Sequence, residues 1–395
     1  MERMGYIIRS QATIILQTLQ RHKGILLLGP RQTGKTTLIK HIQTDLTISL
    51  VQPEIRQRYE KDPGLLVKEI RYLKSQTSKI PIIVLDEVQK VPQLLDVVQG
   101  LMDEKEGLFI LTGSSARKLR RGPNVNLLPG RVVALRLDPL IIREYSKSSL
   151  EELLLYGTLP GIITLKENRD REIDLESYVT TYLEEEVRSE AIVRNLGHFA
   201  RFLEYAASES GQIINYRKLS QEIGIAHTTI ASYFQILEDC LIIERIEPLT
   251  KSKTRKKLTQ AQKYLFFDLG VRRIAAQEGT KPSRDRWGCL FEQFVGLELL
   301  RCSRLSRKKN KILFWRDPNG PEVDWLIQQE EEYIPIEVKW TSSPKNKDIR
   351  YLKLFLSEYP TAKKAYLICQ TPRRLQLDKH IIAIPWQEID DILLV

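Results

Sequence analysis

The amino-acid sequence predicts a multi-domain α/β protein. One observation is the repeated order of apolar run, polar loop and helical segment in the first third of the chain, beginning with GILLL at residues 24–28. This order is typical of a parallel sheet covered by helices. A second observation is a series of short strand patterns after residue 263. A third is size, since 395 residues with 42% hydrophobic content are enough for two or three domains with separate cores.

Charge and cysteine content narrow the class of protein. The formal net charge is +11 and the pI is near 9.3, which favours a polyanionic partner such as DNA. The four cysteines are widely separated and form no C-x-x-C pair, so neither a zinc site nor a disulfide framework is indicated. No apolar stretch approaches the length of a membrane span and no signal-type run opens the sequence. We therefore expect a cytoplasmic protein with no membrane partner.

The basic residues concentrate in two stretches. Lys251–Lys263 and Arg301–Lys311 each contain six basic residues and no acidic residue. Runs of this kind either contact phosphates or form solvated loops, and the neighbouring elements decide between the two interpretations.

A nucleotide-binding pattern lies near the N-terminus. The stretch GILLLGPRQTGKTTL contains G-x-x-x-x-G-K-T between a strand and a helix, which is the Walker A motif. Its glycines let the loop curl so that backbone N–H groups face phosphates. We expect Lys35 to reach the β and γ phosphates of ATP and Thr36 to offer its hydroxyl to Mg²⁺. The predicted nucleotide-binding residues are Gly29, Pro30, Arg31, Gln32, Thr33, Gly34, Lys35, Thr36 and Thr37.

Two further strands end in residues suited to nucleotide hydrolysis. The run PIIVL is followed by Asp86, a candidate Mg²⁺ ligand, and by Glu87, a candidate base for the attacking water. The next apolar run is followed by Ser114, a candidate sensor of the γ-phosphate, because such sheets bind ligands at their carboxyl edge. The three segments together predict a Mg²⁺-dependent ATPase.

Four segments in this order, GPRQTGKTTL, LDEVQ, LTGSSARKLRRG and LLPGR, resemble bacterial and archaeal AAA+-like ATPases that carry a C-terminal domain of unknown function. The resemblance covers most of the chain. It implies a homo-oligomer, with a hexameric ring as one form, in which an arginine of one subunit reaches the γ-phosphate bound by its neighbour. Arg131 and Arg117 match positions where this arginine could lie, although each could equally be a surface arginine that pairs with a carboxylate. Ser114 stands where this family usually has Asn.

The middle of the chain is expected to be helical. Residues 138–196 should form a helical lid over the nucleotide. Their acidic triplet Glu184–Glu186 could suggest a metal site, but consecutive helical residues point in different directions, which favours a solvated face. Residues 197–262 have the pattern of a winged helix-turn-helix. Polar residues lie at the start of its recognition helix, residues 227–232, and a basic arm follows that helix. Because that helix has few basic residues, we expect it to contact the DNA backbone without reading the base sequence. The alternative is a winged-helix module used only for packing.

The last part, residues 263–395, shows the order αβββαβ with charged residues inside apolar strands. Asp324 lies in EVDWL, and Glu337 and Lys339 lie in IEVKW, where residues two apart share a strand face. Glu292 lies on the preceding helix. Carboxylates that converge in this way bind Mg²⁺ or Mn²⁺, and a lysine beside them positions water or stabilises developing charge.

This arrangement resembles the PD-(D/E)XK nuclease superfamily, which includes Holliday-junction resolvases and restriction enzymes. The metal ligands that the resemblance implies are Glu292, Asp324 and Glu337. Lys339 would be catalytic, Glu298 is an alternative helical carboxylate, and Glu322 could supplement the strand carboxylate. The other interpretation is a domain reused for binding, in which the strand lysine and its neighbouring glutamate form only an ion pair.

The sequence thus predicts a P-loop NTPase (AAA+-like) core at 1–137, a helical lid at 138–196, a winged helix-turn-helix with a basic arm at 197–262, and a PD-(D/E)XK nuclease-like α/β domain at 263–395. The expected function is a Mg²⁺-dependent ATPase that remodels or moves along DNA, especially branched or repair intermediates, coupled to a metal-dependent, structure-directed endonuclease. The alternative is a non-nucleolytic ATP-driven switch whose C-terminal domain binds DNA or a protein partner.

Overall fold

The computed structural model describes residues 6–77, 79–114, 128–183, 196–250, 261–317 and 320–394. Three features predicted above lie outside these ranges, namely Arg117, the triplet Glu184–Glu186 and most of the basic arm, residues 251–260. The chain divides into two units. The first contains the residues up to 138 together with 239–241, and the second contains 139–238 and 242–395.

The first unit is built on a five-stranded sheet with the order β2-β3-β4-β1-β5, in which every pair is parallel. Its strands are β1 (Gly24–Leu28), β2 (Leu46–Ser49), β3 (Ile82–Asp86), β4 (Leu108–Gly113) and β5 (Val132–Arg136). Its helices are Gln11–Gln20, Lys35–Lys40, Pro53–Lys61, Leu65–Ser75 and Leu94–Asp103, with a 3₁₀ turn at Val88–Lys90.

The strands β1, β3 and β4 of this sheet are buried on both faces. Alternate residues of one strand point to opposite faces, so Leu26 joins one core cluster and Ile25 joins the other. Phe109 and Ile110 on β4 divide in the same way. Burial of each such side chain stabilises the fold by roughly 1.5–3 kcal/mol. The near-continuous apolar runs of the sequence therefore reflect a sheet covered by helices on both sides.

The second unit begins with a helical part that packs on itself. Its helices are Leu150–Tyr156, Pro160–Ile163, Asn168–Ser177, the π-helical Tyr178–Leu183, and Leu269–Ala275. The buried Asp268 accepts hydrogen bonds from Thr158 N at 2.7 Å and from Gly270 N at 2.9 Å. A Cβ atom on Gly270 would lie 2.3 Å from the carbonyl oxygen of Tyr156, so only glycine permits this approach. The segment expected to form a lid is thus fixed within the second unit.

Three helices follow in the order expected for residues 197–262, and two strands come after them, of which the second begins beyond this range. The helices are Leu196–Ser208, Tyr216–Ile223 and His227–Asp239, and the strands are β6 (Ile243–Pro248) and β7 (Lys263–Phe266), which pair antiparallel. Phe234 is buried on the inner side of the third helix and contacts Phe202 edge-on. His227, Thr228 and Ser232 are exposed at its start, as the apolar spacing predicts.

The remaining strands extend this pair into one eight-stranded sheet with the order β12-β13-β11-β10-β9-β8-β6-β7. The strands are β8 (Lys311–Arg316), β9 (Glu322–Gln329), β10 (Glu332–Val338), β11 (Ala365–Cys369), β12 (Leu375–Asp378) and β13 (Ile381–Pro385). The helices are Arg284–Leu305 and Arg350–Glu358, with 3₁₀ turns at Asn346–Ile349 and Trp386–Ile392. The predicted order αβββαβ is observed. The sheet also runs through the expected boundary at 262, because β6 pairs with β8.

No helix within the described ranges combines the length and the apolar character needed to cross a bilayer.

Candidate nucleotide site and carboxylate cluster

The Walker A loop is a tight turn between β1 and the helix Lys35–Lys40. Gly34 has φ 92° and ψ 23°, a left-handed conformation that favours glycine. A Cβ atom on Gly29 would lie 2.4 Å from the carbonyl oxygen of Leu137, so this glycine is required by close backbone approach. Arg9 ties the loop down by donating to the carbonyl oxygen of Thr33 at 2.7 Å.

The Walker A lysine is folded back onto its own loop. Lys35 Nζ donates to the carbonyl oxygens of Gly29 at 2.7 Å and of Pro30 at 3.0 Å, and the residue is 7% exposed. Thr36 follows it at the exposed start of the helix. These residues fit a nucleotide with Mg²⁺, because the ammonium group contacts neutral oxygens that phosphate oxygens can replace.

The ends of β3 and β4 lie side by side, so that Thr112 of β4 contacts both Asp86 and Glu87. Thr112 Oγ1 donates to Asp86 Oδ1 at 2.6 Å and accepts from the backbone N–H of Glu87 at 3.0 Å. Glu87 has φ 58° and ψ 49°, a left-handed conformation that is unusual for a residue with a side chain. Local strain of this kind is common at functional sites and fixes the direction of a carboxylate. The predicted pair therefore lies at the carboxyl edge, where the motif requires it.

Gln89 is a site residue that the sequence prediction missed. Its Nε2 donates to Glu87 Oε2 in a close contact and lies 3.4 Å from Ser114 Oγ. Its Oε1 is buried and finds no hydrogen-bond donor among the described residues. Gln89 is the last residue of the segment LDEVQ, so its proximity to the acidic pair was the available signal.

Arg131 forms a bidentate ion pair with Asp103. The Nε–Oδ1 distance is 2.6 Å and the Nη2–Oδ2 distance is 2.9 Å, and the hydrogen bonds from the guanidinium lower the pKa of Asp103. The surface-pair alternative is therefore the arrangement in this structure. A role for Arg131 toward a neighbouring subunit stays a prediction.

The second unit brings four carboxylates and two lysines together, and we call this group the carboxylate cluster. Its members are Glu292, Glu322, Asp324, Glu337, Lys263 and Lys339. Asp324 Oδ2 accepts a hydrogen bond from the backbone N–H of Val338 at 2.8 Å, and Lys339 Nζ lies 2.5 Å from Glu337 Oε1. Three predicted strand residues thus converge because β9 and β10 are antiparallel neighbours.

One oxygen of the cluster has no donor. Glu337 is 5% exposed, and its Oε2 is buried without a hydrogen-bond partner in the described part of the chain. A buried carboxylate oxygen in this state is costly unless a cation or a proton satisfies it. Burial, followed by the charge of Asp324, raises the pKa of Glu337 well above its ordinary value.

Lys263 was predicted as the end of the basic arm, but it is an internal member of the cluster. Its Nζ lies 2.8 Å from Glu322 Oε1 and 3.3 Å from Glu292 Oε1, and the residue is only 3% exposed. Burial opposes the charge of this ammonium group, yet the surrounding carboxylates raise its pKa above the ordinary value. The signal in the sequence was its position at the head of the apolar strand KYLF.

The helical carboxylate Glu292 therefore meets an ammonium group. Burial and the charge of Asp324 raise its pKa to about 7, and the charge of Lys263 opposes this shift. Burial likewise raises the pKa of Asp324. The alternative residue Glu298 lies elsewhere, since it accepts from Ile142 N at 3.0 Å and pairs with a neighbouring arginine.

The metal prediction fits only part of the cluster. Among the described residues, no group of three or more His, Cys, Asp or Glu side chains has an arrangement that could hold a metal ion. The oxygen chemistry of Asp324 and Glu337, with the unpartnered Oε2, fits one hard cation. The side formed by Glu292 and Glu322 is occupied by the ammonium group of Lys263.

The second basic stretch is less basic at the surface than the sequence suggests. Arg301 is buried and donates to the carbonyl oxygens of Leu140 at 3.0 Å and Phe267 at 2.8 Å. Arg304 pairs with Glu244. The exposed basic residues of this stretch are Arg307, Lys308, Lys309 and Lys311.

Three family models match consecutive parts of the chain. Residues 21–146 match an AAA domain, residues 147–282 match a domain of unknown function (DUF8612), and residues 287–389 match a second domain of unknown function (DUF4143). The AAA match contains both Walker segments and the parallel sheet. This part of the chain is a P-loop ATPase domain of the AAA type.

Two relatives align with nearly all of this chain and with most of their own length. An uncharacterized protein of Mycobacterium tuberculosis is 25% identical over 394 residues, covering 96% of this chain and 84% of its own length. An uncharacterized protein of Methanocaldococcus jannaschii is 25% identical over 412 residues, covering 92% and 83%. The structure of the Aeropyrum pernix Orc1 protein in complex with DNA has 13% identity and a TM-score of 0.28, covering 68% of this chain and 90% of that chain. Because a structural similarity this low carries no argument, the fold is assigned from the parallel sheet and the sequence motifs of this chain.

Proposed function

We propose that this ATPase couples nucleotide hydrolysis to action on DNA, and that its carboxylate cluster cleaves phosphodiester bonds with one divalent cation. The observation that carries the cleavage proposal is the buried Glu337 Oε2, which has no donor in the described chain. Glu337 lies near the end of β10, and its other oxygen pairs with Lys339 just beyond that strand. A carboxylate in this state is suited to a cation.

In the ATPase domain, each predicted residue has a separate task. Lys35 would exchange its loop carbonyls for the β and γ phosphates. Thr36 and Asp86 would hold Mg²⁺, and Glu87 would accept a proton from the attacking water. Gln89 would keep the carboxylate of Glu87 in place. Ser114 would contact the γ-phosphate, and Arg131 would act on the nucleotide of a neighbouring subunit in a homo-oligomer, with a hexameric ring as one form.

Two properties favour DNA as the partner. The net charge of +11 favours a polyanion. The exposed start of the helix His227–Asp239 carries polar residues suited to phosphates, which fits a winged helix-turn-helix that contacts the DNA backbone. Because these residues are not basic, we expect weak sequence preference, with branched or repair intermediates as substrates.

In the cluster, the side chains would position the groups that react. The backbone N–H of Val338 fixes Asp324, and Lys339, which contacts Glu337, would stabilise charge on the phosphate. A divalent cation would lower the pKa of a bound water and neutralise the phosphate. Mg²⁺ or Mn²⁺ would serve.

A second function is favoured by the contacts of Lys263. Because this ammonium group already pairs with two of the four carboxylates, the cluster could serve as a structural ion-pair network. The chain would then be a non-nucleolytic ATP-driven switch that binds DNA or a protein partner. ATP hydrolysis that is insensitive to DNA, together with no cleavage, would favour this function.

The test uses fork, four-way-junction and linear duplex DNA with Mg²⁺ or Mn²⁺. We expect the wild-type protein to cut at least one branched substrate and Asp324→Asn to reduce the rate at least a hundredfold, since Asn keeps the hydrogen-bond acceptor but loses the charge. Glu331→Gln, in the exposed turn between β9 and β10, is the matched control. Equal cleavage by wild type and Asp324→Asn, or no cleavage by either, would reject the nuclease function.

A further inference from the structure

The ammonium group of Lys263 lies where a divalent cation would otherwise be expected between Glu292 and Glu322. The Nζ–Oε1 distances are 3.3 Å and 2.8 Å, respectively. The group also lies 4.9 Å from the ring centroid of Phe314 and 5.7 Å from that of Trp325. Aromatic faces attract a cation but supply no ligand atoms for Mg²⁺. This half of the cluster is therefore built for an ammonium group.

The backbone of Lys263 is held on both sides. Lys263 pairs with Ile246 of β6 in an antiparallel register and forms an isolated bridge with Ile213 on its other side. The neighbouring Tyr264 accepts a hydrogen bond from Gly211 N at 2.7 Å. The side chain thus extends into the cluster from a strand whose backbone is paired on both sides.

The other half of the cluster is different. Asp324 is fixed by Val338 N, and Glu337 has one oxygen against Lys339 and one without a donor in the described chain. Lys339 is 37% exposed at its side chain, whereas Lys263 is 3% exposed. One half is thus satisfied by a buried ammonium group, and the other half retains an oxygen suited to a cation.

We propose that Lys263 is the permanent cation of the Glu292–Glu322 half, so that the cluster takes up a divalent cation only at Asp324 and Glu337. This inference rests on the proposed single-cation site. Displacement of the lysine by a metal ion would leave an ammonium group buried without a partner, which is unfavourable. Glu292 is then a partner of Lys263 and not a metal ligand.

The experiment counts Mn²⁺ ions bound by the nucleotide-free full chain, by loss of the electron paramagnetic resonance signal of free Mn²⁺. We expect Lys263→Met to bind one ion more than wild type, because Glu292 and Glu322 then lack a cation. Lys263→Arg keeps the charge and should bind the wild-type number. Glu337→Gln should bind one ion fewer. All four proteins share the same P-loop, so the differences report on the cluster.

The outcomes separate this inference from the proposed function. A wild-type count in Lys263→Met overturns the inference, whatever Glu337→Gln does. A gain of one ion in Lys263→Met, with no loss in Glu337→Gln, supports the role of Lys263 and rejects the proposed metal site. If Lys263→Met is unfolded without metal, Mn²⁺ should refold it, as measured by circular dichroism. Failure to refold at millimolar Mn²⁺ also overturns the inference.

Discussion

The nucleotide site and the carboxylate cluster each contain a buried lysine, but the partners of the two lysines differ in charge. Lys35 donates to the neutral carbonyl oxygens of Gly29 and Pro30, whereas Lys263 pairs with the carboxylates of Glu292 and Glu322. A neutral carbonyl can be replaced by a phosphate oxygen without leaving an unpaired charge. A buried carboxylate cannot lose its cation so cheaply. The first lysine is placed for ligand exchange, and the second is placed for permanent pairing.

The largest expected effect is on folding at the cluster. Lys263→Met should lower the free energy of unfolding by about 3–5 kcal/mol, because it leaves two carboxylates without their cation. Urea denaturation at pH 7.5 without metal measures this loss. The control is Lys281→Met, which changes an exposed lysine of the same unit and should have little effect. If the free energy of unfolding of Lys263→Met falls by less than about 1 kcal/mol, Lys263 is not a permanently paired lysine and the contrast with Lys35 is wrong.

The nucleotide lysine should show the opposite pattern. Lys35→Ala should reduce ATP turnover at least about a hundredfold, because the phosphates lose their charged donor. The free energy of unfolding should change by less than about 1.5 kcal/mol, since the hydrogen bonds to the carbonyl oxygens of Gly29 and Pro30 are between an ammonium group and neutral acceptors. Lys40→Ala, at the exposed end of the same helix, is the control. Turnover near the wild-type rate in Lys35→Ala would contradict the assignment of the P-loop.

Glu292 of the cluster should contribute to the pH dependence of stability. Because the pKa of Glu292 is raised from 4.5 to about 7, the folded state holds a proton that the unfolded state releases. This group therefore lowers stability as pH rises from about 4.5 to 7. Glu292→Gln should reduce the loss of stability between pH 5 and 8 by on the order of 2 kcal/mol. Urea titrations at several pH values measure it, with Glu331→Gln as the exposed control. An unchanged slope would show that Glu292 titrates normally.

The smallest expected effect concerns the positioning of Glu87. Gln89→Ala should lower kcat for ATP about tenfold with little change in KM, because its amide contacts the carboxylate of Glu87 and lies near Ser114. Gln93→Ala, at an exposed position four residues further on, should leave kcat unchanged. An increase in KM without a change in kcat would assign Gln89 to nucleotide binding instead.

The two regions also differ in how far the sequence predicts them. The P-loop residues are contiguous, so their spacing defines the turn and the order of groups around a phosphate. Asp324, Glu337 and Lys339 were predictable because residues two apart in a strand share a face. Lys263 was not, because its partners Glu292 and Glu322 lie 29 and 59 residues away and it ends a run of basic residues.

The basic stretch at 301–311 shows the same limit. Composition counts Arg301 as surface charge, but its guanidinium is buried against the backbone carbonyls of Leu140 and Phe267. Periodicity predicts which helix face is apolar, but it does not show which charged side chain is buried in the protein interior. The eight-stranded sheet was also not predicted as one unit, because the pairing of β6 with β8 joins segments that are distant in sequence.

The most direct test of the central claim is a crystal structure of the protein with a non-hydrolysable ATP analogue and Mn²⁺, with metal positions taken from anomalous scattering. Our account predicts Lys35 Nζ on the phosphates, Mn²⁺ near Thr36 and Asp86, and a second Mn²⁺ at Asp324 and Glu337. Lys263 Nζ should still lie between Glu292 and Glu322. A Mn²⁺ ion bound by Glu292, with Lys263 displaced, would contradict the account.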